Sequence, residues 1–300
     1  MAEKVYKAIL TLVGNPLVEE HLNAAQKAVL SVGGKITGDP DGLCDYVAID
    51  IFCDLTPSQR IELVRLLRQL LPTVDFAVQS ILHRKKKLLT ADMDSTMIVG
   101  ESIDEMAAAL GLKKKISAIT ARAMAGELDF VEALRERVGL LAGLSTDALE
   151  NIAESIVFQP GARSLVATMR QNGARLVLVS GGFKFVTTVV REKLGFHVDL
   201  ANDLAVFDNK LTGNLLLPLV DRATKEDIIR EEALSLGITL AETAAIGDGA
   251  NDIPMLKAAG LGVGYFGKEI VRKATPFQIN NTDLTTMLYF QGYKAMEIVI

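Results

Sequence analysis

The sequence is poor in cysteine and histidine: its 300 residues include two cysteines, Cys44 and Cys53, and three histidines. Two cysteines are too few for a fold held together by disulfides, and they fit a reducing compartment. Neither cysteine has the spacing of a metal ligand, and the histidines, at positions 21, 83 and 197, are scattered. A zinc site built from these residue types is therefore not expected.

Long apolar runs and an excess of positive charge are missing as well. The chain does not start with a basic region followed by a long apolar stretch, and no run approaches the roughly 20 residues that span a bilayer. With 32 Lys and Arg against 37 Asp and Glu, the net charge is −5, so no overall positive field attracts nucleic acid. We therefore expect a cytoplasmic protein with no membrane and no nucleic-acid partner.

What is present indicates two domains, about the number that the chain length suggests. Apolar residues make up 49% of the chain, which is enough for a large core. Residues 1–82 show strand and helix patterns in the order βαββαβ, which predicts a four-stranded antiparallel, ferredoxin-like sheet with two helices on one face. Residues 83–87, His-Arg-Lys-Lys-Lys, have no interleaved aromatic residue. We therefore predict a solvated basic linker there rather than a nucleic-acid patch.

From residue 88 onward, apolar strands alternate with helices, a pattern typical of a parallel sheet covered on both faces. Strands are predicted at 88–92, 175–180, 244–247 and 260–265. The helix-rich stretch after the first of these strands is too long for one crossover. We therefore expect a helical cap at about residues 103–158, inserted into a domain of residues 88–300. The predicted fold class is α/β: a Rossmann-like parallel sheet with an inserted cap, preceded by the ferredoxin-like domain.

Polar residues follow three of these strands, at the sheet edge where open parallel sheets bind ligands. Asp92 and Asp94 end the first strand, and their spacing of two lets an extended chain point both the same way. Residues 180–182, Ser-Gly-Gly, end the second strand at a helix start, where glycines admit a ligand and the helix N-terminus favours an anion. Asp248 and Asp252 follow the third strand.

If these strand ends meet, four carboxylates crowd one site and repel one another. A hard divalent cation with oxygen ligands resolves this repulsion, and Mg²⁺ suits the site better than Zn²⁺ because the motifs contain no His or Cys. Lys225, a hydroxyl and glycine amides would add the groups that hold a phosphoryl group. The carboxylate of Asp92 could then attack phosphorus.

Each feature taken alone also has an ordinary structural explanation. Two acids after a strand can form a surface turn, and Ser-Gly-Gly is common in strand-to-helix turns. A lone Lys225 or Arg137 is usually a solvated charge, and Met124 and Phe130 would be ordinary apolar residues of a cap core. The interpretation as a site therefore depends on the combination.

That combination resembles the haloacid dehalogenase superfamily. Its motifs occur here in the order expected of that family: Asp92-Met93-Asp94-Ser95-Thr96, Ser180-Gly181-Gly182, Lys225 and Gly247-Asp248-Gly249-Ala250-Asn251-Asp252. Met93 stands where the family often has Phe. Residues 101–105, 124–126, 130 and 134–138 extend the resemblance to the phosphoserine phosphatase family, from about residue 87 to the last strands.

The resemblance implies Mg²⁺-dependent hydrolysis of O-phospho-L-serine to L-serine and phosphate, the last step of serine biosynthesis, through an aspartyl-phosphate. Asp92 would be the nucleophile, and Asp94 would protonate the leaving hydroxyl and then activate water. The metal ligands would be Asp92, Asp248 and Asp94 through its backbone carbonyl, with Asp252 in support. The implied substrate-binding residues are Glu101, Met124, Phe130, Arg137, Ser180, Gly181, Gly182, Lys225 and Asn251.

Glu101 and Arg137 would recognise the amino-acid part of the substrate. Phosphoserine carries an ammonium and a carboxylate, which one acid and one Arg fork complement. Met124 and Phe130 would pack over the substrate, and closure of the cap would exclude bulk water.

The N-terminal unit is similar to an ACT domain, with Gly14-Asn15-Pro16 at the place of the first loop. This similarity implies a homodimer formed through that unit. Two alternatives to a phosphoserine phosphatase stay open: a phosphatase for another small phosphomonoester, and a regulatory protein whose N-terminal unit senses a metabolite. Metal-dependent activity on a panel of substrates distinguishes them.

Overall fold

The computed structural model describes residues 3–124 and 127–300, with the side chain of Met124 outside the described part. Its first sheet is antiparallel, with strand order β2-β4-β1-β5 and β3 also paired to β4. The strands are β1 (Tyr6–Val13), β2 (Lys35–Ile36), β3 (Asp41–Cys44), β4 (Ala48–Leu55) and β5 (Asp75–Ser80). Helices α1 (Glu19–Ser31) and α2 (Pro57–Leu70) pack on one face of this sheet around one apolar core.

This sheet confirms the ferredoxin-like order but has one strand more than predicted. In place of one second strand, the structure has β2, which ends at Ile36, and β3, which begins at Asp41. Residues 37–40, which include Pro40, separate the two pieces. Because proline has no N–H to donate to a ladder, the second strand is split in two, and both pieces pair with β4.

The second sheet, in the described chain, has the order β12-β11-β10-β6-β7-β8-β9. Its strands are β6 (Leu88–Ala91), β7 (Arg175–Phe183), β8 (Val198–Phe207), β9 (Lys210–Leu216), β10 (Thr243–Gly247), β11 (Leu261–Tyr265) and β12 (Phe277–Ile279). All neighbouring pairs are parallel except the β8–β9 hairpin. The four predicted strands are confirmed, whereas the hairpin and β12 were missed. The turn residues of the β8–β9 hairpin, Asp208 and Asn209, have the positive φ angles typical of tight hairpins.

Helices surround this sheet and form a cap after its first strand. The cap helices are α3 (Ser102–Ala109), α4 (Lys113–Met124), α5 (Phe130–Gly139) and α6 (Thr146–Glu154). The others are α7 (Ala162–Gln171), α8 (Lys184–Leu194), α9 (Arg222–Ser235), α10 (Ile253–Ala258), α11 (Glu269–Ala274) and α12 (Thr286–Phe290). Among the described helices, none combines the length and the apolar character that crossing a bilayer requires.

The missed hairpin supports the cap. Leu204 and Leu211 share an apolar cluster with the cap residues Met106, Leu134 and Val138. The backbone of Leu211 also exchanges hydrogen bonds with the loop that follows α5, at residues 143 and 144. The apolar core of the cap is therefore continuous with the β8–β9 edge of the sheet.

The prediction of a solvated linker at residues 83–87 is wrong for two of its residues. The Arg84 guanidinium donates to both carboxylate oxygens of Asp50, at 2.6 and 2.7 Å, and to the carbonyl of Phe290 at 3.0 Å. Lys86 is buried and donates to the carbonyl of Ala241 at 2.7 Å. The basic segment therefore joins the two sheets, because Asp50 lies buried in β4 and requires a counter-charge.

A second polar contact holds the two parts together. The buried carboxylate of Asp75, at the start of β5, accepts hydrogen bonds from the backbone amides of Asn280, Asn281 and Thr282 just after β12. A carboxylate that accepts several N–H bonds is held firmly in place. The N-terminal sheet is thus anchored to the far edge of the second sheet as well as through Arg84.

We expect the Arg84→Ala substitution to lower the free energy of unfolding by about 3 kcal/mol, because it leaves the buried Asp50 carboxylate without its counter-charge. Urea unfolding followed by circular dichroism measures this. Arg65→Ala is the matched control: it removes an arginine whose ion pair with Glu62 is exposed, and it should change stability little. Equal effects of the two substitutions would contradict a joining role for Arg84.

Candidate active site

The predicted motifs converge at the carboxyl ends of three adjacent strands, β10, β6 and β7. Asp92 follows β6, Asp248 follows β10, and Ser180 lies in the last part of β7. The first turn of α9 adds Lys225. The Asp221 side chain caps this helix by accepting hydrogen bonds from the amides of residues 223 and 224. This cap fixes the start of the helix and therefore the position of Lys225.

Two buried carboxylates, those of Asp92 and Asp252, contact the Lys225 ammonium, and Asp248 lies close to both acids. The Nζ of Lys225 lies 2.5 Å from Asp92 Oδ1 and 2.6 Å from Asp252 Oδ1. One oxygen from each of Asp92, Asp248 and Asp252 lies within 4.8 Å of the others. The second oxygen of Asp252 accepts a hydrogen bond from the amide of Gly249 at 2.9 Å, so this carboxylate is held on both sides.

The charges in this group shift one another's pKa values. Burial raises the pKa of Asp92 well above its usual value, and the neighbouring Asp252 carboxylate adds to the rise. Burial alone lowers the pKa of Lys225, but Asp252 and Asp92 outweigh burial and hold that pKa above its usual value. Lys225 therefore stays charged, and one ammonium faces more than one carboxylate.

The donor set fits a hard divalent cation. The group consists of Asp92, Asp248 and Asp252, so every ligand atom that it offers is a carboxylate oxygen. Lys225 offsets one of these three negative charges. A divalent cation would offset the remainder, and oxygen ligands of this kind suit Mg²⁺.

Asp94 lies beside the group of three carboxylates, but its own carboxylate is not part of that group. Its Oδ1 accepts a hydrogen bond from the amide of Ser102 at 2.7 Å, and its Oδ2 accepts one from Ser180 Oγ at 3.3 Å. Burial raises the pKa of Asp94, although these hydrogen bonds oppose the rise. A carboxyl whose pKa is raised is suited to carry a proton near neutral pH. The sequence-based assignment of Asp94 to the metal, through its backbone carbonyl, stays a prediction.

The two glycines after Ser180 leave room that side chains would fill. A Cβ atom on Gly182 would lie 2.5 Å from Asp94 Oδ2, and one on Gly181 would lie 3.3 Å from the Phe130 ring. The amide of Gly182 donates to Ser180 Oγ at 2.9 Å. Glycine at position 182 therefore lets the loop approach Asp94 closely.

The cap side of the site carries Glu101, Phe130 and Arg137. Ser95 Oγ donates to Glu101 Oε1 at 2.9 Å, and burial together with the nearby Asp94 raises the pKa of Glu101 to about 7. Burial lowers the pKa of Arg137, and the charges of Glu101 and Asp104 oppose that shift. Glu101, just before α3, and Arg137, in α5, therefore lie close enough for the charge of one to act on the other.

Two of the predicted site residues remain, Asn251 and Met124. Asn251 is half-buried in a single turn, residues 250–252, where its side-chain oxygen lies against Gly249. Met124 ends α4, but its side chain lies outside the described residues.

Lys268, which no sequence motif singled out, lies at the same edge of the sheet. Its Nζ lies 3.4 Å from Asp248 Oδ2, and its amide donates to the Asp248 carbonyl at 3.0 Å. The signal was its position just after the predicted strand at 260–265, which ends at the same edge as the other motifs. Ser102 was missed too, because its contact with Asp94 uses the backbone amide, which no side-chain pattern reveals.

Comparison with known proteins identifies the class of this site. A model of the haloacid dehalogenase-like hydrolase family matches residues 89–257. A phosphoserine phosphatase of Streptomyces coelicolor is 36% identical over 296 residues, which cover 97% of this chain and 72% of the relative. The chain therefore belongs to the haloacid dehalogenase-like hydrolases and, among them, to the phosphoserine phosphatase family.

Solved structures agree with both levels of this assignment. A haloacid dehalogenase family hydrolase from Salmonella enterica serovar Typhi matches 94% of this chain and 98% of its own, with a TM-score of 0.83 and 27% identity. A structure described as a phospho-aspartyl intermediate analogue of phosphoserine phosphatase matches 69% of this chain and 99% of its own, with a TM-score of 0.64 and 37% identity. The first of these similarities extends over both sheets.

We expect Gly182→Ala to lower kcat/KM for a phosphomonoester about 100-fold, because the new methyl group displaces the Asp94 carboxylate. Steady-state kinetics, with circular dichroism to check folding, measures this. Gly38→Ala is the control, since a Cβ at that glycine meets no atom within 4 Å. A folded Gly182→Ala protein with unchanged kinetics would show that the close approach is not required.

Proposed function

We propose that the chain hydrolyses O-phospho-L-serine to L-serine and phosphate, and that Asp92 carries the phosphoryl group between the two half-reactions. One observation carries this proposal: the buried Asp92 carboxylate contacts Lys225 inside a group of three carboxylates, with Asp94 two residues away. A nucleophile and an acid at the same strand end are what a two-step transfer needs.

Mg²⁺ is part of this proposal. The residues that would hold it are Asp92, Asp248 and the backbone carbonyl of Asp94, with Asp252 in support. When bound, the cation supplies positive charge that offsets the carboxylates and polarises the phosphoryl oxygens. Lys225 contributes a second positive charge from the protein itself.

In the first step, a carboxylate oxygen of Asp92 forms a bond to phosphorus while the bond between phosphorus and the serine oxygen breaks. Asp94 gives its proton to that leaving oxygen, so serine departs with a neutral hydroxyl. Lys225, Ser180 and the Gly181 amide hold the phosphoryl oxygens, whose charge they stabilise. The raised pKa of Asp94 favours the protonated form that this step uses.

In the second step, the Asp94 carboxylate accepts a proton from water as the water oxygen attacks phosphorus. The bond between phosphorus and the Asp92 oxygen breaks, which releases phosphate and restores the Asp92 carboxylate. Asp94 is again protonated, ready for the next substrate. Dividing the hydrolysis in this way replaces one difficult displacement by two easier ones.

The cap recognises serine in this proposal. Glu101 binds the ammonium, Arg137 binds the carboxylate as a planar fork, and Asn251 helps to position the substrate. Phe130, which lies against Gly181, covers the substrate and excludes water. Glu101 directly precedes α3 and Arg137 lies in α5, so closing the cap would bring both charges onto the substrate.

The domain organisation belongs to the same proposal: an ACT-like domain at residues 1–82, a joining segment at 83–87 and the phosphatase domain at 88–300, with the cap at about 103–158. The antiparallel sheet with two helices on one face supports the first of these assignments. A homodimer formed through the N-terminal domain is included. A monomeric mass by light scattering would contradict it.

We expect Mg²⁺-dependent phosphate release from L-phosphoserine, with much weaker release from O-phosphothreonine, phosphoethanolamine and a sugar phosphate. A phosphate-release assay with and without Mg²⁺ measures this. Preference for another ester would retain the proposed chemistry and reject the substrate. Activity on none of these esters would favour a binding protein instead.

We expect charge-specific losses when the two recognition residues are changed. Arg137→Met should lower kcat/KM for L-phosphoserine about tenfold or more and change that for phosphoethanolamine little, because phosphoethanolamine has no carboxylate. Glu101→Gln should impair both substrates, since both carry an ammonium. Steady-state kinetics on the two esters measures this. Parallel losses in the two variants would reject the assignment of one charge to each residue.

A further inference from the structure

Asn202, on β8, is buried completely and bonds two segments that lead into the active site. Its Nδ2 donates to the carbonyl of Gly181 at 2.9 Å and to the carbonyl of Val220 at 3.3 Å. Its Oδ1 accepts from the amide of Val220 at 2.8 Å. One backbone N–H and two carbonyls fix the orientation of the amide, since the reverse orientation would face like groups against each other.

The bond to Gly181 sets the direction of the phosphate-binding loop. The carbonyl of Gly181 and the N–H of Gly182 belong to one planar trans peptide and point in opposite directions. Because Asn202 holds the carbonyl on one side, the N–H on the other side points to Ser180 Oγ at 2.9 Å. That hydroxyl lies 3.3 Å from Asp94 Oδ2. The amide of Asn202 therefore orients the serine hydroxyl through one peptide.

The two bonds to Val220 act on the other side of the site. Val220 directly precedes Asp221, the residue that caps α9, and Lys225 lies in the first turn of that helix. Holding both backbone groups of Val220 fixes the entry of the helix. It thereby fixes the distance from Lys225 to Asp92.

We propose that Asn202 is a positioning residue that sets the phosphate-binding loop and the Lys225 helix in register with each other. This inference rests on the proposed function, in which Ser180, Gly181 and Lys225 hold the phosphoryl group. Asn202 itself does not touch the substrate. Its substitution therefore weakens phosphate binding even where the fold persists, because the groups that bind phosphate no longer converge.

The test uses two substitutions of Asn202 in the full chain. Asn202→Asp keeps the volume and the acceptor for the Val220 amide but replaces the donor, so two carbonyls face an oxygen. Asn202→Ala removes both ends. Titration calorimetry of inorganic phosphate into the Mg²⁺-loaded protein, well below its unfolding temperature, measures the effect. We expect phosphate affinity to fall about tenfold or more in both variants, with KM for L-phosphoserine raised and native circular dichroism.

Two control variants separate positioning from stability. Asn172→Asp changes an asparagine whose Nδ2 also donates to a backbone carbonyl, that of Thr168 at 2.9 Å, but far from the site. Arg84→Ala destabilises the protein without touching the phosphate-binding groups. Both controls should bind phosphate as the wild type does.

The outcomes are distinguishable. A wild-type protein that neither hydrolyses phosphoserine nor binds phosphate overturns the proposed function. A wild type that does both, beside a folded Asn202→Asp or Asn202→Ala variant with unchanged phosphate affinity, overturns this inference alone. If both variants fail to fold, Asn202 serves the fold only and the inference is likewise overturned.

Discussion

The constraint on which the structure depends is the concentration of negative charge around Lys225. Asp92, Asp248 and Asp252 bring carboxylates to one end of the parallel sheet, where burial makes each unpaired charge costly. Lys225 offsets part of that charge through contacts with two of the three acids. The remainder creates a demand for positive charge, which the divalent cation of the proposed mechanism would meet while the phosphoryl group is held.

The work of the site is divided between the sheet and the cap. In the proposed mechanism, the strand ends hold the groups that act on phosphorus, while Phe130 and Arg137 come from the cap and Glu101 from the residue just before it. The β8–β9 hairpin joins the two parts, because it contributes to the apolar core of the cap while Asn202 holds the phosphate-binding loop. The N-terminal sheet is fastened to the same framework through Arg84 and Asp75.

Sequence patterns predicted the centre of the second sheet because β6, β7 and β10 are apolar runs that end in polar motifs. They missed β8 and β9, because the partly exposed residues of these strands show no clear alternation. The signal available for this hairpin was its tight turn at Asp208. Charge pattern also misjudged Arg84, since its partner Asp50 lies 34 positions earlier in the chain. A lone buried asparagine such as Asn202 gives no pattern at all: its role depends on backbone groups that only the folded chain brings together.

The most direct test of the account is the identification of the phosphorylated residue after turnover is stopped with acid. The protein is mixed with L-phosphoserine labelled in its phosphate, quenched, digested and examined by mass spectrometry. The account predicts label on the peptide that contains Asp92, released by hydroxylamine as an acyl phosphate is, and neither label nor turnover in Asp92→Asn. Label on another side chain, or an active Asp92→Asn protein, would contradict it.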